Sequence, residues 1–176
     1  MKTQIAILRG VNVSGQKKII MTELIELLES LGFTSVQTYI QSGNVIFQSN
    51  GKELAATITK AIFDRFAFEV PTQVLSSESM QIIAELNPFS NNLEIDKKSL
   101  YYTFLEEEPK KILVEALQKL DFPSEQFVIE GKVVFLHCPN GYGRAKLNNN
   151  FLERKLKVSA TTRNHKTVTK LVELSQ

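Results

Sequence analysis

A single cysteine, Cys138, is all the sequence offers, so no internal disulfide can form, which suits a reducing cytoplasm. Tryptophan is absent, and the only histidines are His137 and His165. A structural metal site draws on three or four ligands, usually Cys and His, and this supply is too small and scattered to build one. No apolar run approaches the roughly 18–20 residues that span a bilayer. The opening residues, MKTQIAILRGV, hold one lysine and a short apolar run broken by Arg9, with no small-residue cleavage pattern after it. No signal peptide is expected from that pattern. Together these absences lead to an expectation of a cytoplasmic protein with no membrane partner, no metal and no cofactor.

What is present is enough for a substantial core. The 176 residues are 43% hydrophobic, which suits one large domain or two small ones. The net charge of +2 is unevenly spread, with −2 over residues 1–95 and +4 over residues 96–176. Most of the excess lies between Arg144 and Lys170, a segment able to attract phosphate-bearing partners or simply to solvate a surface.

The most informative stretch is TSVQTYIQSGNVIF, Thr34 to Phe47. It reads as two strands about a turn at Ser42-Gly43-Asn44, because Gly43 accepts the positive φ of a short hairpin turn and Asn44 tolerates it. Ile40, Val45, Ile46 and Phe47 suit a half-buried pleated surface. An echo follows in PSEQFVIEGKVVF, Pro123 to Phe135, with one residue deleted at the turn. After the deletion, Gly43, Val45, Ile46 and Phe47 pair with Gly131, Val133, Val134 and Phe135, all at an offset of 88. Met80, Ile83, Ala84 and Leu86 pair with Val168, Leu171, Val172 and Leu174 at the same offset. Two independent stretches sharing one offset argue for an internal duplication.

Hydrophobic periodicity supplies the elements between these landmarks. Gln4–Leu8 reads as a strand, followed by a Gly-rich cationic loop and a helix capped at Thr22 that stops at Gly32. Residues 53–68 form a helix, Thr72–Leu75 a strand and the stretch after Ser76 or Ser77 a helix. Leu100–Leu105 is a strand and Lys110–Leu120 a helix with Ile112, Leu113, Ala116, Leu117 and Leu120 inside. Asn149–Leu156 is a short helix with Asn150 and Glu153 at capping-box spacing. Val158–Thr162 is the last strand, and Asn164 caps the last helix. The fold class is therefore α+β: a tandem duplication of a ferredoxin-like βαββαβ unit, each followed by an extra helix. The expected boundaries are residues 1–88 and 99–176, with 89–98 as linker.

Chemistry-bearing clusters are few. His137 and Cys138 are adjacent, but neighbouring strand residues face opposite sides and lack a third ligand or base. Gly141-Tyr142-Gly143-Arg144-Ala145-Lys146 has the flavour of a phosphate cradle in the wrong order for one. Glu106, Glu107 and Glu108 fit a solvated turn before a helix better than a cation site. The remaining candidates for ligand binding are Arg9, Asn12, Lys17, Lys18, Gln41, Ser42, Asn44, Arg144, Lys146, Arg163, Asn164 and Thr167. They sit on loops, turns or a helix start, where function concentrates, though Asn, Ser and Gly also serve turn geometry. Arg163 precedes a helix N-terminus, which itself attracts anions.

Three stretches, LRGVNVSGQKKIIM, TYIQSGNVIF and ATTRNHKTVTKL, together resemble the bacterial family known as domain of unknown function 1697. The resemblance implies a cytoplasmic bacterial protein of two ferredoxin-like subdomains and brings no activity with it. Its motif positions fall on Arg9, Gly10, Asn12, Gly15, Gln41, Ser42, Gly43, Asn44, Lys146, Arg163, Asn164 and Thr167. The family's Arg-Asn-Trp-Asn-Thr is Arg163-Asn164-His165-Lys166-Thr167 here, its Ser before the motif lysine is Ala145, and its helix-ending Gly is Lys157. Loss of the Trp removes a large stacking surface.

Three functions are compatible with these residues. The leading expectation is a binding module for a phosphate-bearing partner, RNA or a nucleotide-like anion. The second is an enzyme whose small anionic substrate is clamped by Arg9 and Arg163. The third is an assembly or scaffold protein, homo-oligomeric through its sheets, whose motif residues are staples.

Overall fold

The computed structural model describes all 176 residues. The chain forms two compact units, Met1–Gln81 together with Leu171–Gln176, and Ile82–Lys170. Six helices and two four-stranded sheets make it a mixed α+β protein. No helix is long and apolar enough to cross a membrane.

The first unit contains strands β1 (Lys2–Leu8), β2 (Thr34–Tyr39), β3 (Asn44–Ser49) and β4 (Thr72–Ser76), with helices α1 (Met21–Ser30) and α2 (Leu54–Phe66). Its sheet runs β2-β3-β1-β4, every pair antiparallel, with Ala6 opposite Val45 and Val74. Alternate residues of the central strands, Ala6, Leu8, Val45 and Phe47, meet Leu24 and Leu28 of α1 and Ile58 and Ile62 of α2 in one apolar cluster. Phe33 stacks on Phe47 with ring centres 4.6 Å apart. Ile5, Ile7 and Ile46 are buried too, so β1 reads as a continuous apolar run.

The second unit repeats the pattern with β5 (Leu100–Leu105), α4 (Lys111–Gln118), β6 (Gln126–Glu130), β7 (Val133–His137), α5 (Asn149–Leu156) and β8 (Ala160–Asn164). Its sheet runs β6-β7-β5-β8, again antiparallel throughout. Val45, Ile46 and Phe47 of β3 and Val133, Val134 and Phe135 of β7 are all buried. Helix α3 (Ser77–Glu85) follows β4, and α6 (His165–Leu174) follows β8. The last six residues return to the first unit, where Ser77 Oγ donates to Ser175 O at 3.0 Å and Gln37 Nε2 donates to Leu174 O at 3.2 Å.

Several local expectations are corrected. The first hairpin turn is Ile40–Gly43, with Ile40 at φ +51° and 51% exposed; Asn44 opens β3 as a fully buried residue. The cap of α1 is Ile20, not Thr22, and no side chain closes it. The cap of α5 is Asn148, whose Oδ1 accepts from Phe151 N–H at 3.1 Å. Glu153, expected in a capping box, reaches across to Ala160 N–H at 2.9 Å instead. Strand β8 begins two residues later than expected because that bond and the left-handed Lys157 (φ +60°) use the preceding residues to turn the chain. Ile112, Ala116 and Leu120, expected inside the fourth helix, are exposed, Ile112 by 71%, and Leu86 is 54% exposed.

Candidate functional site

In the first unit the candidates gather where the loop after β1 meets the β2–β3 turn. Val11 and Ile19 are buried and anchor the loop at both ends. Between them the chain folds on itself, with Gln16 N–H donating to Val13 O at 2.9 Å. Gly10, Asn12, Ser14, Gly15 and Lys17 all take left-handed φ values. Such a sequence of turns needs a tie, and Asn12 provides it. Its Oδ1 accepts from Ile19 N–H, while its Nδ2 donates to Ile19 O and to Gln41 O, each at 2.9 Å. One carboxamide thus joins the loop's two ends and the hairpin turn.

Gly43 closes the same junction. Its carbonyl accepts from Leu8 N–H at 2.8 Å, and a Cβ placed there would lie 2.7 Å from Leu8 Cβ. Asn44 Nδ2 donates to Tyr39 O at 3.1 Å and to Ser42 Oγ at 3.0 Å, holding the turn from inside. The cations stand on this frame. Arg9 is half-buried and its N–H donates to Pro71 O at 2.9 Å; Lys17 Nζ donates to Glu69 O at 2.6 Å; Lys18 is exposed. The structure therefore brings Asn12 to Gln41 and Ser42 to Asn44, and sets Arg9, Lys17 and Lys18 along one loop.

The second unit's candidates do different work. Asn164 Oδ1 accepts from Thr167 N–H at 2.8 Å, a helix cap, and Thr167 is buried. Arg163 Nη1 donates to Thr162 O at 3.0 Å, and burial pulls its guanidinium down to about 10, still charged at neutral pH. Arg144 and Lys146 are exposed, and Lys146 Nζ lies 5.8 Å from the centre of the Phe122 ring. The backbone N–H groups of Lys146 and Leu147 donate to the two carboxylate oxygens of Glu125, at 2.8 and 2.9 Å. The glycine-containing loop is thus closed by the protein's own acid at its far end. Sequence reasoning passed over Glu125, and its position in the hairpin echo carries no signal for this contact.

Two polar clusters in this unit also escaped sequence reading. Thr162 Oγ1 sits 2.7 Å from both Thr103 Oγ1 and Asn149 Oδ1, and accepts from Tyr142 OH at 3.0 Å. His165 Nδ1 is 3.0 Å from Tyr102 OH, with the rings stacked 19° apart in plane. Burial, then Lys97, pushes His165 below its ordinary value. Burial raises Tyr102, moderated by the neighbouring Asn87 and Ser90 side chains. Asn87 Nδ2 and Ser90 Oγ complete no hydrogen bond within ordinary reach, so their influence on Tyr102 is a longer-range one.

The His137–Cys138 pair divides as strand geometry dictates. His137 is partly exposed beside Phe89, ring centres 6.0 Å apart, while Cys138 is buried. Burial, then Glu125, pushes the Cys138 thiol up to about 12. A thiol held protonated is neither a nucleophile nor a metal ligand. A cleft of about 510 Å³ lies beside it, lined by Glu94, Asp96, Lys98, Ser99, His137 and Cys138, none of them a predicted ligand-binding residue. No group of three or more His, Cys, Asp or Glu side chains is placed to hold a metal ion.

The fold defines an α+β protein of two antiparallel four-stranded sheets, and the motifs at Leu8–Met21 and Thr38–Phe47 meet on backbone ties. The sequence model of the family described as protein of unknown function (DUF1697) matches residues 1–135, and the chain belongs to that family. The motifs at Leu8–Met21 and Thr38–Phe47 lie inside the matched range and the one at Ala160–Leu171 lies beyond it. A conserved bacterial protein from Streptococcus pneumoniae has a solved structure similar to this one, with a TM-score of 0.74 over 99% of each chain and 24% sequence identity. No curated protein matches the sequence.

Proposed function

We propose that the loop of residues 9–20 and the turn of residues 40–43 form a binding face for a phosphate-bearing anion, nucleotide-like or RNA. Arg9, Lys17 and Lys18 supply its charge. The observation that carries this reading is the Asn12 carboxamide, whose bonds to Ile19 and Gln41 hold two distant loops in one geometry. A face ordered in advance loses little entropy when it takes up a ligand. Runs of left-handed and right-handed residues also form concavities that suit anions. Asn12 and Asn44 are the frame, and the cations are the ligand-facing groups. In the second unit, Asn164 and Thr167 are assigned to the helix cap, and Arg144, Lys146 and Arg163 are left outside the proposed face.

The test is the melting temperature of the protein with inorganic phosphate, a nucleoside monophosphate and a short single-stranded RNA, each at low and high salt. A ligand bound only by the folded state raises the midpoint. The expected shift shrinks as salt rises and is lost in Arg9→Gln and Lys18→Gln. No shift from any probe, or one indifferent to salt, overturns the assignment.

We infer further that both sheets descend from one ferredoxin-like unit duplicated in tandem, with 1–88 and 99–176 as the repeated segments, 89–98 between them, and the bacterial cytoplasm as the setting. The shared strand order and the matched buried triplets support this reading. Gly43 and Gly131 are the same position in the repeat and both have positive φ, +76° and +54°. Alanine at either must therefore be unfavourable.

A further inference from the structure

Of the exposed large hydrophobics in the first unit, Met1, Val13, Ile20, Ile40 and Phe63, three share a location. Val13 follows Asn12, Ile20 follows Ile19, and Ile40 precedes Gln41, and those three residues are the ones joined by the Asn12 carboxamide. Each aliphatic is thus one residue step, about 3.8 Å of chain, from the same junction. Their exposures are 54%, 63% and 51%. Single exposed aliphatics are ordinary, but grouped ones mark a contact surface.

Ile40 adds an independent mark. It is β-branched and held at φ +51°, a conformation such residues avoid. An asparagine or glycine would fit that position better, as Gly43 does at the turn's other end. A strained residue that leaves half its surface in water contributes little to the core. Such strain with so little burial motivates a role for the side chain outside the core.

We propose that this face takes a mononucleotide, with the base laid on Val13, Ile20 and Ile40 and the phosphate held by Arg9, Lys17 and Lys18. The inference rests on the anion-binding reading above and deepens it by assigning the apolar half of the ligand. Charge complementarity fixes one end of the occupant and the aliphatic cluster the other. Ligands joining an anion to a flat apolar ring match both. Apolar side chains contact a ring face without reading its edge, so purine and pyrimidine monophosphates are expected to bind alike.

Calorimetry with adenosine monophosphate, adenosine and inorganic phosphate separates the two layers of the argument. Adenosine monophosphate is expected to bind at least tenfold more tightly than phosphate. Ile20→Ser is expected to weaken the nucleotide roughly three- to tenfold while leaving phosphate unchanged. Ile40→Asn relieves the backbone, so the melting temperature rises while nucleotide affinity falls. A residue serving only the fold cannot give that opposed pair. Equal binding of phosphate and nucleotide overturns the base assignment and leaves the anion site standing. No binding of either overturns both. A concentration-dependent dimer abolished by Ile20→Ser gives the patch to a second copy and overturns the proposal.

Discussion

Asn12 and Gln41 are 29 residues apart in sequence and joined at 2.9 Å, side-chain amide to main-chain carbonyl. The contact is the only one of the three made by that carboxamide that leaves its own loop. It places the loop after β1 and the β2–β3 turn under the control of one side chain.

Replacing Asn12 with alanine removes all three bonds and leaves a residue with a Cβ at φ +56°. Each lost hydrogen bond with a partner left unpaired costs on the order of 1 kcal/mol, and the left-handed backbone adds to that. The expected loss is about 2–4 kcal/mol, read as a lower urea midpoint at unchanged slope. Asn12→Gly relieves the backbone but not the bonds and falls between the two. A loss under about 0.5 kcal/mol, the ordinary surface range, would remove the tie from the account.

Gly43 and Gly131 separate backbone from packing. At Gly131 a Cβ meets nothing within 4 Å, so Gly131→Ala costs only the left-handed strain, about 1 kcal/mol. At Gly43 the same change also drives a Cβ to 2.7 Å from Leu8 Cβ on the central strand. The penalty there is larger by about 1–3 kcal/mol of overpacking. Parallel denaturation of the two variants gives the difference directly. A neutral or stabilising Gly131→Ala would contradict the left-handed strain at φ +54°.

His165 makes stability depend on pH. Its folded value is pushed below 6.5 by burial and by Lys97, so below that pH the unfolded chain takes up a proton that the folded one resists. The unfolded state then binds more protons and stability falls with pH. The loss begins as pH drops through about 6.5 and levels off below the folded value. Partly exposed His137 is shifted the same way by burial. His165→Gln is expected to flatten the midpoint between pH 7.5 and 5, more than His137→Gln does. An unchanged slope in His165→Gln would place the titration elsewhere.

The elements were largely legible because their signals are local. Asn149–Leu156 was read to the residue, and the central strands announced themselves as apolar runs. The misreadings follow a pattern. Thr22 has the chemistry of a cap, but the Asn12 bonds to Ile19 N–H and O fix the chain at Ile19, so the helix starts earlier, at Met21, after Ile20. Ile40 has strand propensity, yet Asn44's bond to Tyr39 O closes the turn around it. Glu125 drew no reading from the sequence and clasps two amides twenty-odd residues on. These three errors came from side chains bonded to backbone groups five to twenty-two residues away, which propensity and periodicity do not record. The candidate residues themselves were found, but sequence could not separate Asn12, Asn44 and Asn164, consumed by the backbone, from Lys18, which faces solvent.

The return of the last six residues to the first unit reverses the order in which the protein can be completed. A nascent chain halted after Lys170 already contains every residue of the second unit. The first unit, begun earlier, still lacks Leu174 and Ser175, the acceptors for Gln37 and Ser77. The first unit is therefore complete only once residues 171–176 are in place. Removing residues 171–176 would be felt first at Gln37 and Ser77, more than ninety residues earlier in the chain.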